Sequence, residues 1–462
     1  MNRCDFLCCV LCGKNTLFFI SQSLSLPKFL KKYLVMLQLA FFRDQKDRVI
    51  AGLKKRNWAD DAIELTVNTV LTLDDKRRST QTELDAALSE IKQLSKKIGE
   101  LMKSGNHTEG GILKAKVTEL KEKSSALEVQ SAETLKALDD LLLSLPNIPK
   151  ETVPFGKGAD DNEVWFLAQE TLPELAAEAL PHWELAQKYP IFDLELGVKL
   201  TGAGFPVFRG KGAKLVRALI QFFLDEAAAA GYEEIIPPLM VNEASARGTG
   251  QIPDKEGQMY YINEDDLYMI PTAEVPVTNI LRDVILNEKD FPIRYCAYSQ
   301  CFRREAGSYG AHVRGLNRVH QFDKVEIVQF THPDKSNEAH LEMIEHVKGL
   351  MEKLELPYRI LKLCGGDMGS ASAITYDFEA WSAAQKRWLE VSSVSNFETF
   401  QANRMKCRYR DANGKTQLVH TLNGSALALP RIIASILENH QTTEGVRIPK
   451  ALVPYTKFEI LD

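Results

Sequence analysis

An α+β fold is predicted for this chain: a long antiparallel two-helix coiled-coil arm, followed by a domain in which helices flank a largely antiparallel β-sheet. Three observations carry that prediction. A proline-free stretch over residues 60–145 has apolar seams at heptad spacing. A proline-dense stretch follows, and the composition changes across it. Beyond it, short β-branched or aromatic runs are separated by varied helical patterns with neither a regular βαβ period nor a Gly-rich phosphate loop. At 462 residues and 45% hydrophobic content, the chain is long enough for two domains with a sizeable core.

Residues 1–35 mix Cys, Phe, Leu and Lys without the long apolar run or small-residue cleavage site of a secretory signal. Met36 opens an ordinary soluble sequence, so the first 35 residues are expected to be an upstream-translated segment or flexible leader, dispensable for activity. No other stretch approaches a membrane span. Four of the eight cysteines (Cys4, Cys8, Cys9, Cys12) crowd the leader, and Cys296, Cys301, Cys364 and Cys407 are scattered without paired spacing. That usage points to a reducing compartment, here the cytoplasm, and no second ligand cluster completes a metal site near the amino terminus.

Residues 36–145 form the expected arm domain. Leu84, Ile91 and Ile98 recur every seventh residue, with Ala87, Leu94 and Leu101 between them. Ser104-Gly105-Asn106 and Gly110-Gly111 break the pattern, and a second seam runs through Leu113, Val117, Leu120, Leu127, Leu138, Leu141 and Leu145. Ser124, Ser131 and Thr134 interrupt it, which predicts a moderately stable hairpin. Lys92, Lys96, Lys97, Lys103, Lys114, Lys116, Lys121 and Lys123 gather towards its tip, nearly balanced by acidic neighbours such as Glu90, Glu100, Glu119 and Glu122. By themselves they read more readily as a solvated helical face. The net charge of −5 gives no global sign of nucleic-acid binding, so any RNA contact must be local.

Residues 146–162, with Pro146, Pro149, Pro154 and Gly156, read as a linker. Residues 163–462 form the second domain, with a helical pattern over 211–230 and strand patterns over 234–238, 267–270, 291–297 and 324–330.

Chemistry concentrates in Phe302-Arg303-Arg304-Glu305-Ala306-Gly307 and in the run from Val313 through Arg314, Gly315 and Arg318 to Glu326. Guanidinium forks keep their charge and grip phosphate oxygens bidentately, so arginines at this density beside an apolar strand suit an anionic ligand. Alone, they would equally make a surface patch, Phe322 would read as core and Glu326 as a solvent-facing strand residue.

These runs resemble motif 2 of the class II aminoacyl-tRNA synthetases, and from Met36 onward the chain is similar to bacterial seryl-tRNA synthetases along almost its whole length. Gly231-Tyr232 leading to Pro238 matches motif 1, and Asn423-Gly424-Ser425-Ala426-Leu427-Ala428-Leu429-Pro430-Arg431 matches motif 3, with Ala426 where the pattern has a second glycine. Gly248-Thr249-Gly250-Gln251, Thr272-Ala273-Glu274 and Glu390-Val391-Ser392-Ser393 are serine-type connecting sequences. The long arm separates this chain from class II-like ligases that charge carrier proteins.

The resemblance implies ATP-dependent activation of L-serine and its transfer to tRNA(Ser), with tRNA(Sec) left open, in a homodimer built on motif 1. Arg303 would hold the α-phosphate and the substrate carboxylate, Arg431 the γ-phosphate, and Arg318 more of the polyphosphate. Phe322 would stack on adenine with Arg431 on the opposite face, and Arg304, Glu305, Val319, Val391 and Ser392 would complete the ATP site. Glu390 and Ser393 would bind Mg²⁺. Thr272, Ala273 and Glu274 would receive the α-ammonium, Glu326 and Ser425 would read the serine hydroxyl, and Asn423 would join them. The arm lysines would meet the long variable arm of the tRNA by shape and backbone.

Overall fold

Two short helices, α1 (Leu39–Asp44) and α2 (Lys46–Lys55), lead into the arm. The arm itself consists of α3 (Asp60–Lys103) and α4 (His107–Ser144), 44 and 38 residues long. At about 1.5 Å rise per residue they are roughly 66 and 57 Å long. This computed structural model describes residues 39–175, 179–254, 257–305 and 314–462. All of them fall in one compact unit, Leu34–Asp462. The expected leader, its cysteines, and the 306–313 part of the arginine-rich run lie outside the described residues. Among the described residues, no helix is long and apolar enough to cross a membrane.

The arm turns at Gly105, whose φ of +82° is left-handed and favours glycine. Asn106 caps α4, its side chain accepting from Glu109 N–H at 3.4 Å and donating to Glu109 Oε2 at 2.9 Å. Helix α4 therefore starts ahead of Gly110-Gly111 and runs through them, although the glycine pair reads as a break in the sequence. Leu84, Ala87, Val117 and Leu127 are buried along the seam, and so are Ser124, Ser131 and Thr134. Ser124 and Thr134 satisfy their hydroxyls on the carbonyls of Lys121 and Gln130 in the preceding turn. At the root, Val49, Leu53, Ile63, Val67, Val70, Leu138, Leu142, Leu145 and Ile148 form one apolar cluster.

The proline-dense stretch after the arm is packed against the second domain. Asn147 Nδ2 donates to the carbonyls of Ala371 and Phe397, both at 2.9 Å. Arg56, just after α2, donates from Nη1 to Met368 O at 2.8 Å and Gly369 O at 3.1 Å, and from Nη2 to Ser372 O at 2.5 Å.

The second domain is built on an eight-stranded sheet. In chain order its strands are β1 (Glu163–Leu167), β2 (Glu233–Glu234), β3 (Ile293–Phe302), β4 (Gln321–Thr331), β5 (Tyr358–Lys362), β6 (Ile374–Ser382), β7 (Arg387–Glu398) and β8 (His420–Ala428). They lie side by side in the order β1-β5-β6-β7-β8-β4-β3-β2. Every pairing is antiparallel except the short parallel edge of β2 on β3.

Helices α5 (Gly210–Ala229), α6 (Ser336–Lys353) and α7 (Leu429–Asn439) pack on one face of the sheet. Alternation along β4 sorts its side chains between the two faces. Val325 and Ile327 enter the main core beneath the helices, whereas Phe322, Lys324 and Glu326 line a cleft on the other face. Burying one such aliphatic side chain contributes roughly 1.5–3 kcal/mol. The register of β4 is therefore fixed, and with it the row of residues presented to the cleft.

Candidate active site

The cleft has a volume of about 1000 Å³ and runs across β4, β8, β7 and β6. Two irregularities in the sheet shape it. The first lies in β8, where Lys324 pairs with Ala428 but Glu326 pairs with Ser425, so β8 carries one extra residue there and Leu427 takes φ +76°. The kink ends β8 and starts α7, with Pro430 in its first turn, where the missing N–H costs nothing. Arg431 projects from that first turn.

The second irregularity lies between β6 and β7. Phe378 pairs with Ser392 while Glu379 pairs with Glu390, leaving Val391 as the additional residue. In a regular strand Glu390 and Ser393 would face opposite sides; the bulge turns both towards the cleft while Val391 stays in the core.

At one end of the cleft, three donors converge on a single oxygen. Glu326 Oε2 lies 2.6 Å from Lys324 Nζ, 3.2 Å from Thr272 Oγ1 and 3.4 Å from Ser425 Oγ. All four residues are buried. Glu274 is beside them, its Oε1 accepting from Gln401 Nε2 at 2.6 Å, while Thr272 Oγ1 accepts from Glu274 N–H at 3.2 Å. Burial and the negative charge of Glu326 push the Glu274 carboxyl up to about 7, against hydrogen bonds from Gln401 and Asn423 and the charge of Lys324. Asn423, buried two residues before Ser425, also lines the cleft. Ala273 is fully buried and presents no side chain there.

Arg303 follows directly on β3. Its backbone N–H continues the ladder to His320 O at 2.9 Å, its Nε reaches Pro271 O at 3.3 Å, and its guanidinium lies 5.3 Å from the centre of the Phe322 ring. Arg304 points instead over the Tyr260 ring at 5.6 Å, and Arg318 Nε pairs with Glu305 Oε2 at 3.0 Å. Arg431 donates from Nε to Asn317 O at 2.9 Å and from Nη1 to Glu390 O at 2.7 Å, with Glu390 Oε2 3.5 Å away. Val319 and Ser392 are buried and line the cleft between these groups, and Val391, packed in the core, borders it.

Several supporting residues stay out of sight in the sequence. His182 Nδ1 lies 2.7 Å from Glu438 Oε1, and its Nε2 accepts from Leu316 N–H at 2.9 Å. Because Nε2 accepts, Nδ1 carries the proton and donates to Glu438. Burial pushes the Glu438 carboxyl up, but hydrogen bonds from His182 and Ser382 outweigh that and hold it below its ordinary value. The network fixes the Leu316-Asn317 backbone on which Arg431 rests. Asp377 is the cross-strand neighbour of Ser393, and burial followed by the charge of Glu390 raises its carboxyl well above the usual range.

Of these residues, only Lys324 had a signal in the sequence: its two-residue spacing from Glu326 puts both on one face of a strand. His182, Gln401 and Glu438 come from separate elements and have none. Among the described residues, no group of three or more His, Cys, Asp or Glu is placed to hold a metal ion.

A helix-backed antiparallel sheet bearing such an arginine-lined cleft defines a class II tRNA synthetase core, and the family described as "tRNA synthetase class II core domain (G, H, P, S and T)" matches residues 259–440. The family described as "Seryl-tRNA synthetase N-terminal domain" matches residues 36–149. A serine–tRNA ligase of Salinibacter ruber is 51% identical over 425 residues, covering 92% of this chain and 98% of that protein. A serine–tRNA ligase of Prosthecochloris aestuarii is 44% identical, covering 92% and 99%. The crystal structure of seryl-tRNA synthetase from Pyrococcus horikoshii complexed with ATP superposes with a TM-score of 0.86 at 34% identity, covering 92% of this chain and 99% of that one. The chain belongs to the seryl-tRNA synthetase family.

Proposed function

We propose that the cleft binds L-serine at the Glu274–Glu326 end and ATP along the arginine-lined remainder, and that it works by alignment and charge stabilisation without a general base. The chain is a class II ligase that activates serine with ATP and charges tRNA(Ser). One observation carries the site assignment. A buried pocket of hydroxyls and carboxylates, suited to an ammonium and a hydroxyl, opens into the same cleft as Arg303 and Arg431.

In the first step a serine carboxylate oxygen attacks the α-phosphorus, the bond to the bridging oxygen breaks, and pyrophosphate leaves. Arg303 would hold the carboxylate and α-phosphate together in line. Arg431, braced by two backbone carbonyls, would receive the far phosphate. Phe322 offers adenine a flat apolar face, and Arg304, Glu305, Arg318, Val319, Val391 and Ser392 would frame the nucleotide. Thr272 and Glu274 would hold the α-ammonium, with Ala273 packed behind them and Asn423 beside Ser425. In the second step a ribose hydroxyl at the tRNA terminus attacks the seryl carbonyl, and AMP departs with the proton.

Glu390 and Ser393 would hold Mg²⁺. A carboxylate and a hydroxyl on one strand face are hard oxygen donors that leave room for phosphate oxygens and waters. Asp377, with a buried Oδ1 lacking a hydrogen-bond partner, sits next to Ser393 and offers a further hard oxygen, so the donor chemistry fits. The ion when bound would offset charge on the polyphosphate.

Residues 36–145 would serve as the tRNA-binding arm, residues 146–162 as its connection and residues 163–462 as the catalytic domain. All eight arm lysines are exposed, and Lys116 pairs with Glu90 across the hairpin at 2.7 Å. That exposure supports an electrostatic role on the tRNA backbone. Charging assays with tRNA(Ser) and tRNA(Sec) decide whether the second is also an acceptor. A homodimer is proposed because Ile236, in the motif 1 segment, is 90% exposed, a large apolar side chain that a second copy would cover. A monomer by sedimentation with full charging activity would contradict it. The proposed compartment is the cytoplasm.

Replacing Arg303 with alanine should abolish amino-acid-dependent exchange of pyrophosphate into ATP with the circular dichroism spectrum unchanged. Near-normal exchange would sink the assignment.

A further inference from the structure

Lys324 has no assigned part in the serine pocket, yet it makes the shortest of the three contacts on Glu326. Its Nζ lies 2.6 Å from Oε2, with both side chains at least 93% buried. The strand places it there: residues 324 and 326 share a face of β4, while the intervening Val325 is in the core.

Thr272, Ser425 and Lys324 all address the same oxygen, Oε2. That arrangement leaves Oε1 as the oxygen to accept from a ligand. An ionised carboxylate accepts and cannot donate, so a carboxylate pinned in this way demands a donor from whatever enters the pocket. A hydroxyl supplies one. Alanine would leave Oε1 buried and unpaired, which costs far more than the loss of a favourable contact.

The charges point the same way. With Glu274 ionised, it and Glu326 bring two negative charges into the pocket and Lys324 one positive. Their sum matches a ligand with one α-ammonium and an uncharged side chain, whose carboxylate is left to Arg303.

We infer that Lys324 is a specificity-determining positioning residue: it fixes Glu326 so that only a small amino acid carrying a side-chain hydrogen-bond donor is accepted. The inference rests on the assignment of Glu326 to the substrate hydroxyl, so both residues need testing together.

The experiment measures pyrophosphate exchange for serine and alanine, with KM for each amino acid and for ATP, in wild type, Lys324→Met, Lys324→Arg and Glu326→Gln. Both Lys324 variants should raise the serine KM at least tenfold and lower the serine-to-alanine selectivity by a similar factor. The ATP KM should stay within about twofold, a split that general damage to the fold would not produce. Because Met removes a partner from a buried ion pair and can compromise folding, Lys324→Arg serves as the charge-retaining variant. It keeps the cation but moves it, so it should fold and still lose selectivity.

If Glu326→Gln loses selectivity while a folded Lys324 variant keeps wild-type serine KM and selectivity, the inference is overturned and the pocket assignment stands. If Glu326→Gln itself behaves as wild type, the assignment falls, and the inference with it.

Discussion

Replacing Arg56 with alanine should loosen the arm from the wall of the cleft. Its guanidinium donates to Asn147 O at 3.3 Å, Met368 O at 2.8 Å, Gly369 O at 3.1 Å and Ser372 O at 2.5 Å. These carbonyls lie on the arm connection and on the 368–372 loop, and Met368, Gly369 and Ser372 line the cleft. Burial pulls the guanidinium down only to about 10, so it stays cationic at neutral pH. Hydrogen bonds from a charged group contribute about 1.5–3 kcal/mol each. A plain sum over four overshoots, because alanine leaves a space through which water can reach some of the carbonyls. A net loss of about 4 kcal/mol is expected, between the value of one such bond and the plain sum over four. At about 2 °C per kcal/mol for a large domain, the unfolding midpoint should fall by roughly 8 °C. Differential scanning calorimetry reads the shift, and limited trypsinolysis should find new cleavage near residues 145–156. An unchanged midpoint together with an unchanged cleavage pattern would refute the reasoning.

Three further outcomes are expected. The Glu274 carboxyl sits up near 7, so it takes a proton, and loses its attraction for an ammonium, as pH falls through that value. Between pH 8 and pH 6, kcat/KM for serine should drop roughly tenfold while kcat/KM for ATP does not follow, and a flat serine profile would contradict the role. Excising residues 80–128 removes the distal arm but keeps the root cluster of Val67, Val70, Leu138 and Leu142. Pyrophosphate exchange should survive and tRNA charging fail; equal loss of both would make the arm a folding element. Gly315 has φ +71°, and an added Cβ would lie 2.2 Å from His182 Nε2. Gly315→Ala should therefore cost about 1–2 kcal/mol in backbone strain alone. It should also raise the ATP KM through displacement of Asn317 beneath Arg431, and an unchanged ATP KM would uncouple the network from the site.

How far the sequence disclosed this arrangement differs from element to element. The heptad seams marked both arm helices, because an apolar stripe is a local property. The pattern over 211–230 marked α5, and the strand runs at 291–297 and 324–330 marked β3 and β4 for the same reason. Strands β6, β7 and β8 sit in the middle of the sheet, and runs such as Glu390 to Ser393 are too polar to read as strands by alternation. Their polar residues face a cleft that exists only once the strands are paired. The bulge that brings Glu390 and Ser393 to one side depends on the offset with β6, and neither strand encodes it alone. The packing of the proline-dense stretch was equally hidden. Proline density reports a chain that cannot continue a helix, not whether Asn147 will find Ala371 and Phe397 across the molecule.

The most direct test of the central claim is exchange of pyrophosphate into ATP, with Mg²⁺ and no RNA, offering each of the twenty amino acids separately. Serine alone should drive exchange, with alanine and threonine far behind. Exchange driven by a different amino acid would contradict the reading of the Glu274–Glu326 pocket.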